Sequence, residues 1–242
     1  MGTVRSRGDV HAVVLAAGIG RRLQPLTEGT PKTLLTVNGR PILGHILEAL
    51  VATGYERVTV VTGYKADQVR GFCEQYDQLS FEFVHSETFE ETNNSYSLWL
   101  AREYLQEGFT LVNSDTLFPA ACLGRLREHD GSALVVDATT QLGEEAMKVH
   151  IENGRIRAIS KDLDQAHGEY IGLCKFEPED ATALVRTLDD LVEHDRTNEW
   201  YETAFDRLAP DRSLRVVEVR DDWIEIDDQE DLRTGQQLWG EA

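Results

Sequence analysis

Short apolar runs alternate with amphipathic stretches along most of the chain. The apolar runs predict β-strands at 10–15, 57–62, 81–84, 109–112, 133–138, 169–176, 214–219 and 224–227. Apolar residues spaced three and four positions apart predict helices at 41–53, 66–76, 95–105, 119–129, 179–194 and 199–208, with a last helix from about residue 229. Strands that alternate with helices are typical of α/β proteins. We therefore predict a Rossmann-like, mostly parallel mixed sheet flanked by helices.

Two Asn-Gly pairs interrupt this alternation. Asn38-Gly39 closes a short extended piece predicted at 33–37. Asn153-Gly154 separates two alternating stretches, and this pair predicts a β-hairpin with strands at 147–151 and 155–159.

A glycine turn follows the first predicted strand. It contains Gly18 and Gly20, the basic residues Arg21 and Arg22 come next, and Lys32 lies ten residues beyond the second arginine. Glycines leave no side chain in the way, so the backbone N–H groups of such a turn can cradle a phosphate. The basic side chains add positive charge where a triphosphate would lie.

Two other phosphate-binding motifs do not fit this turn. The dinucleotide fingerprint requires a third glycine three residues after the second, and Leu23 occupies that position. The Walker motif requires Gly-Lys-Ser/Thr, which the segment lacks.

Two aspartates follow predicted strands. Asp115 comes after the strand at 109–112, and Asp227 ends the strand at 224–227. Carboxylates from separate strands can meet over one Mg²⁺, which prefers hard oxygen ligands and takes one or two carboxylates. Alternatively, either aspartate could cap the helix that follows it, and Asp228 is an adjacent candidate for the second metal ligand.

Composition narrows the class of partner. The 242-residue chain has a net charge of −19, which argues against nucleic acid or an anionic membrane as a partner. No apolar run is long enough to cross a bilayer, and the N-terminal residues lack a signal-peptide core. Cys73, Cys122 and Cys174 are widely separated and lack metal-site spacing. We therefore expect reduced thiols and a cytoplasmic protein.

The segment from Leu15 to Lys32 resembles a known signature. Its string LAAGIGRRLQPLTEGTPK is similar to the G-x-G-x-R-L…P-K motif of the nucleotidyltransferases that activate sugar phosphates and small phospho-alcohols. A second string, Asn93 to Leu98, reads N-x-x-Y-S-L before a predicted helix, with Ser95 or Asn94 as its expected N-cap. It is similar to the cytidylyltransferases for choline phosphate, inositol phosphate and phosphonoalkyl acceptors.

The resemblance implies a GT-A-like nucleotidyltransferase fold in which the two halves of the chain bind different substrates. We expect a disordered tail at 1–8 and a single domain at 9–242. Its nucleotide-binding half covers about 9–118, and a hairpin-containing acceptor-binding half covers about 119–242. The implied nucleotide-binding residues are Leu15, Ala16, Ala17, Gly18, Gly20, Arg21, Arg22, Thr62, Gly63, Asn93, Asn94 and Ser95.

The same resemblance implies the remaining roles. Asp115 and Asp227 would hold Mg²⁺, and Arg22, Lys32 and Lys148 would be catalytic. The implied acceptor-binding residues are Tyr64, Lys148, Tyr170, Trp200, Tyr201 and Glu202. From the residues alone, Lys148 could equally be a solvent-facing lysine on a strand, and the aromatic residues could be core. If they converge, the four aromatics would suit a quaternary ammonium group.

The expected reaction joins CMP from CTP to a small phosphorylated or phosphonate acceptor and releases pyrophosphate. The acceptor could be phosphocholine, aminoethylphosphonate, a hydroxyalkylphosphonate or inositol phosphate. One alternative is a sugar-1-phosphate nucleotidyltransferase that uses UTP or dTTP, and another is a nucleotide-binding protein without turnover. The chain would act as a monomer or a homodimer.

Overall fold

The computed structural model describes residues 11–139 and 141–239, so the predicted tail at 1–8 lies outside the described residues. The strands are β1 His11–Ala16, β2 Thr36–Val37, β3 Arg40–Pro41, β4 Arg57–Thr62, β5 Ser80–His85, β6 Phe109–Asn113, β7 Thr116–Leu117, β8 Ala133–Asp137, β9 Lys148–Glu152, β10 Arg155–Ser160, β11 Gly168–Phe176, β12 Arg215–Glu218 and β13 Ile224–Glu225. The α-helices are α1 Leu26–Gly29, α2 Ile42–Ala52, α3 Ala66–Cys73, α4 Asn94–Leu100, α5 Ala120–Glu128, α6 Pro178–Glu193, α7 Glu202–Leu208 and α8 Gln229–Leu238.

Nine strands form one mixed sheet in the order β5-β4-β1-β6-β11-β8-β12-β10-β9. The first four strands are parallel, and β1 lies between β4 and β6. Leu15 of β1 stands opposite Asn113 of β6, so the glycine turn after β1 begins beside the segment that carries Asp115. Ligands of such sheets bind beyond the carboxyl ends of the strands.

The second half of the sheet is largely antiparallel. Strand β11 runs antiparallel to β6 and β8, and its first residues also pair with β9. Strands β9 and β10 form the predicted hairpin, with Asn153 and Gly154 both at positive φ as a type I′ turn requires. The α/β class and the mixed sheet are thus confirmed, with the parallel order concentrated in the first half.

Two apolar cores cover the two faces of the sheet. Alternate residues of β1 face opposite sides, so Val14 packs in one core and Val13 in the other. Helices α2, α3 and α5 contribute to the first core, and α4, α6 and α7 contribute to the second. Every described helix is too short or too polar to span a bilayer.

Several predicted boundaries change in the structure. Helix α4 begins and ends earlier than predicted, and a separate 3₁₀ turn at Arg102–Tyr104 follows it. Its N-cap is Asn93, rather than Ser95 or Asn94, because the Asn93 side chain accepts a hydrogen bond from the Asn94 N–H. The extended piece predicted at 33–37 opens as a 3₁₀ turn at Lys32–Leu34 and becomes a strand only at β2.

Candidate active site

The glycine turn after β1 is built around Lys32. Gly20 has a φ of 68°, and a Cβ atom there would lie 2.8 Å from Cβ of Lys32. Gly20 is therefore needed both for the left-handed backbone and for the close approach of the lysine. The carbonyl of Gly20 accepts hydrogen bonds from the Leu23 N–H and from Thr27 Oγ1, which close the turn.

Lys32 Nζ bridges the two predicted metal ligands. It lies 2.8 Å from Asp115 Oδ2 and 2.7 Å from Asp227 Oδ1, and Arg22 approaches Asp227 Oδ2 at 2.8 Å. Burial alone would lower the pKa of Lys32, but the two carboxylates outweigh it and raise that pKa above its usual value. Burial likewise opposes ionisation of Asp227, yet Lys32 and Arg22 bring its pKa below the usual range. Lys32 and Asp227 are therefore both ionised at neutral pH.

A two-stranded ladder outside the main sheet joins the two aspartates. Strand β13 pairs antiparallel with β7, placing Glu225 opposite Thr116, and the Ile226 N–H donates to the Asp115 carbonyl at 2.9 Å. This ladder brings residues more than a hundred positions apart to one place.

The ladder also adds a third carboxylate, Glu225, which the sequence analysis missed. Oxygen atoms of Asp115, Glu225 and Asp227 all lie within 4.8 Å of one another. Restricted solvation, together with the charges of Asp115 and Asp227, raises the pKa of Glu225 to about 8.

This carboxylate group fits a magnesium ion. The second oxygen of Asp115, Oδ1, is buried and has no hydrogen-bond partner among the described residues. Buried carboxylate oxygens normally have a partner, and hard oxygens are the ligands Mg²⁺ prefers.

Asp228 has a different role from Asp227. Its side chain accepts hydrogen bonds from the Glu230 and Asp231 N–H groups and caps α8. The capping alternative considered for Asp227 therefore applies to its neighbour Asp228. The side chain of Asp227 lies instead in the carboxylate group with Asp115 and Glu225. Asp115 is not a helix cap either, because β7 follows it and α5 begins only at Ala120.

An open cavity of about 350 Å³ extends from the glycine turn across the carboxylates. Its walls are formed by Leu15, Ala16, Ala17, Gly18, Arg22, Lys32, Thr33, Phe89, Thr92, Asn93, Asn94, Ser97, Asn113, Ser114, Asp115, Glu145, Lys161, Trp200, Glu225 and Asp227. Eleven of these were predicted as site residues from the sequence: Leu15, Ala16, Ala17, Gly18, Arg22, Lys32, Asn93, Asn94, Asp115, Trp200 and Asp227.

The other residues predicted for nucleotide binding lie outside the cavity wall. They are Gly20, Arg21, Thr62, Gly63 and Ser95. Thr62 is buried, and its Oγ1 donates to the Val84 carbonyl. A Cβ atom at Gly63 would lie 2.7 Å from the Ala17 carbonyl oxygen and 2.8 Å from Cβ of Phe89. Gly63 therefore lets Phe89 pack directly beside the glycine turn.

Of the residues predicted for acceptor binding, only Trp200 lines the cavity. The hydroxyl of Tyr64 donates to backbone carbonyls of Thr27 and Glu28, so this residue braces the glycine turn instead. Tyr170 and Tyr201 are buried, with their hydroxyls 3.3 Å apart, and both pack against Phe205 in the second core. The four aromatics therefore do not form one pocket.

The end of the cavity at Trp200 carries a lysine that the sequence analysis did not select. Nζ of Lys161 lies 4.4 Å from the centroid of the Trp200 ring and 2.9 Å from Glu145 Oε2. Lys148 lies behind it, outside the cavity wall, and its Nζ donates to the Lys161 carbonyl at 2.7 Å. Lys161 directly follows β10, and this position at a strand end was the available sequence signal.

The two asparagines in the cavity wall, Asn93 and Asn94, connect α4 with the loop before α7. Asn94 Oδ1 accepts a hydrogen bond from the Tyr201 N–H at 2.8 Å, and the Asn93 N–H donates to the Thr197 carbonyl at 2.9 Å. The loop before α7, which carries Trp200, is thus attached to the N-terminus of α4.

Comparisons with known proteins agree with this geometry. Residues 12–172 match the family model described as the MobA-like NTP transferase domain. A CTP:phosphoglutamine cytidylyltransferase of Campylobacter jejuni is 27% identical, over 92% of this chain and 98% of that protein. A 2-aminoethylphosphonate cytidylyltransferase of Lancefieldella rimae is 28% identical, over 87% of this chain and 85% of that protein.

The fold resembles a solved cytidylyltransferase structure. The CTP:phosphocholine cytidylyltransferase from Streptococcus pneumoniae superposes with a TM-score of 0.80 at 24% identity, covering 95% of this chain and 99% of that one.

Proposed function

The chain belongs to the MobA-like NTP transferase family, and from that premise we propose that it is a CTP-dependent cytidylyltransferase. It would transfer CMP to a small acceptor that bears a phosphate or phosphonate and would release pyrophosphate. The names of the two curated relatives support CTP as the donor and a phosphorus-bearing acceptor as its partner.

The observation that carries this proposal is the placement of Lys32 between Asp115 and Asp227, directly beside the glycine turn. A phosphate cradle, a partly buried cation and a group of carboxylates are what transfer of a nucleotidyl group requires. The attacking oxygen of a phosphate or phosphonate is already anionic, so no general base is needed. Catalysis is then positioning of the two substrates and neutralisation of charge around the α-phosphorus.

Each wall of the cavity has a role in this reaction. Backbone N–H groups from Ala17 to Gly20 and the Arg22 guanidinium would bind the β- and γ-phosphates. Lys32 would neutralise the charge that builds on the α-phosphate.

The carboxylate group would hold the metal ion. Asp115 and Asp227, with Glu225 beside them, would hold Mg²⁺. When bound, the ion would neutralise phosphate charge and help to align the two substrates.

Lys161 is better placed than Lys148 to meet the acceptor's phosphate or phosphonate. Lys161 lines the cavity, whereas Lys148 contacts the backbone of Lys161 from behind. We propose Lys161 as the direct contact and Lys148 as the residue that positions it. Asn93 and Asn94 remain proposed as nucleotide contacts because both line the cavity at the N-terminus of α4.

The test is pyrophosphate release from CTP, UTP, dTTP and GTP, each with Mg²⁺ and a panel of acceptors. The panel contains phosphocholine, 2-aminoethylphosphonate, 2-hydroxyethylphosphonate, inositol 1-phosphate and glucose 1-phosphate. Release with CTP and a non-sugar acceptor is expected. Activity only with UTP or dTTP and glucose 1-phosphate would favour the sugar-nucleotide alternative. Nucleotide binding without release under any combination would favour a non-catalytic protein.

A further inference from the structure

The segment that brings Glu225 and Asp227 to the site is attached to its neighbours by a very short ladder. Strand β13 has two residues, and its ladder with β7 consists of two residue pairs. The next residue, Ile226, adds one hydrogen bond to the Asp115 carbonyl. Isolated two-stranded pairings are marginally stable, whereas metal ligands have to be held to within about 0.5 Å. The chain on either side of β13 therefore needs an anchor.

The anchor on the C-terminal side is Asp231. Its Oδ2 accepts hydrogen bonds from the N–H groups of Asp227 and Asp228, both at 2.9 Å. Asp231 lies in the first turn of α8, so the end of the segment is fixed to that helix.

The anchor on the N-terminal side is a hydrogen bond between Trp223 and Asp137. Trp223 Nε1 donates to Asp137 Oδ2 at 2.9 Å, although the two residues are 86 positions apart in the chain. Trp223 directly precedes β13, and Asp137 is the last residue of β8 in the nine-stranded sheet. This bond therefore ties the start of the ligand-bearing strand to the main sheet.

The Asp137 carboxylate is oriented to receive this bond. The residue is buried, and its Oδ1 accepts hydrogen bonds from the N–H and Oγ1 of Thr139, both at 2.7 Å. These contacts fix the rotation of the carboxylate, with Oδ2 toward the Trp223 indole. Loss of the indole donor would take a partner from a buried carboxylate oxygen, which is costly.

We propose that Trp223 and Asp137 are positioning residues for the metal site, because their hydrogen bond sets where Glu225 and Asp227 lie relative to Asp115. Both residues lie outside the cavity wall, so they act through β13 rather than by contact with a substrate. The inference rests on the proposed function, since it concerns the carboxylates proposed there to hold Mg²⁺.

Trp223→Phe tests this role, because it removes the indole N–H and keeps an aromatic ring. The first readout is binding of Mn²⁺, used in place of Mg²⁺, in the presence of CTP and the absence of any acceptor. The electron paramagnetic resonance signal of the free ion gives the dissociation constant, and mixtures without protein correct for binding to CTP alone. We expect the constant to rise about fivefold, and the Mg²⁺ concentration at half-maximal turnover to rise by a similar factor.

Trp99→Phe is the matched control. Trp99 Nε1 donates to Asp189 Oδ1 at 2.8 Å, so this variant loses the same kind of partly buried hydrogen bond, here between α4 and α6. The urea midpoints of unfolding should fall in both variants, whereas the Mn²⁺ dissociation constant should rise only in Trp223→Phe. A role in stability alone would change Mn²⁺ binding equally in both.

Asp137→Asn tests the bond from its other side. An amide has one acceptor oxygen, so it cannot receive Trp223 and Thr139 on separate oxygens. The variant should raise the Mn²⁺ dissociation constant as well. The double variant with Trp223→Phe should raise it no further than the larger single effect, because both substitutions break the same bond.

The outcomes separate this inference from cytidylyl transfer. Unchanged Mn²⁺ binding in Trp223→Phe, an equal change in Trp99→Phe, or single effects that multiply in the double variant would overturn the positioning role alone. If the wild type binds Mn²⁺ but releases no pyrophosphate with any acceptor, cytidylyl transfer fails and the Mn²⁺ comparison still decides the positioning role. A wild type that binds no Mn²⁺ beyond that bound by CTP would overturn the positioning role.

Discussion

Nζ of Lys148 donates a hydrogen bond to the carbonyl oxygen of Lys161 at 2.7 Å, so one lysine of the hairpin holds the backbone of the other. The register explains the contact, because Lys148 of β9 pairs with Ser160, the residue before Lys161. Of these two lysines, Lys161 lines the cavity and Lys148 does not.

We predict that Lys161→Met lowers kcat/KM for the acceptor by about 10²-fold, because a direct charge contact to the acceptor is lost. Lys148→Met should lower it by about tenfold or less, and Lys148→Arg should restore part of the loss. Steady-state kinetics with each substrate varied in turn would measure this, and the KM for CTP should change little in all three. A larger loss in Lys148→Met than in Lys161→Met would instead make Lys148 the direct contact.

Lys32 provides a second prediction. Lys32→Ala should lower kcat by about 10²-fold or more, because the α-phosphate loses its cation in the transition state. Lys175→Ala is the matched control. Side chains of both lysines are nearly buried, 13% and 14% exposed, and both pair with acids, but Lys175 pairs with Glu177 away from the cavity. An equal loss of kcat in Lys32→Ala and Lys175→Ala would show that Lys32 affects turnover only through the stability of the fold.

The neighbours Asp227 and Asp228 separate metal binding from helix capping. Asp227→Asn should lower Mg²⁺-dependent turnover by about 10²-fold or more and raise the Mg²⁺ concentration at half-maximal rate. Asp228→Ala should retain the Mg²⁺ dependence but lose about 1 kcal/mol of unfolding free energy, because α8 loses its cap. Magnesium titrations and urea unfolding of both variants measure the two effects. An unchanged magnesium dependence in Asp227→Asn would remove Asp227 from the metal site.

The elements with strong local signals could be predicted from the sequence. Strand β4 matches its predicted range, and the hairpin turn at Asn153-Gly154 is confirmed, because both depend on neighbouring residues alone. Glu225 alternates with Asp227 in the strand predicted at 224–227, so the sequence places both on one face. Its position beside Asp115 could not be predicted, because it depends on the pairing of β13 with β7, a strand of two residues that shows no periodicity.

The sequence also could not show whether a given side chain points into the site or away from it. Tyr170 and Tyr201 are compatible with a pocket or a core, and only the packing of α7 against β10 and α6 places them in the core. For the two lysines, an irregularity in pairing between Ile156 and Ala158 shifts the register of β10. A one-residue shift reverses the direction of every later side chain, so Lys148 and Lys161 could not be distinguished.

His11, the first residue of the parallel strand β1, makes stability depend on pH. Its Nε2 lies 2.9 Å from Thr59 Oγ1, and burial, assisted by Arg57, lowers its pKa to about 4. The unfolded chain binds this proton near pH 6.5 and the folded chain only near pH 4, so this contribution to stability is lost as the pH falls between those values.

We predict that the unfolding free energy falls by about 2 kcal/mol from this residue alone between pH 7 and pH 5. Urea unfolding at half-unit steps of pH measures the slope. In His11→Gln, which cannot be protonated and keeps a group able to bond Thr59, the slope should be shallower by that amount. His150→Gln is the control, because that histidine is on the hairpin and only partly buried. An identical slope in His11→Gln and the wild type would show that His11 is protonated equally in both states.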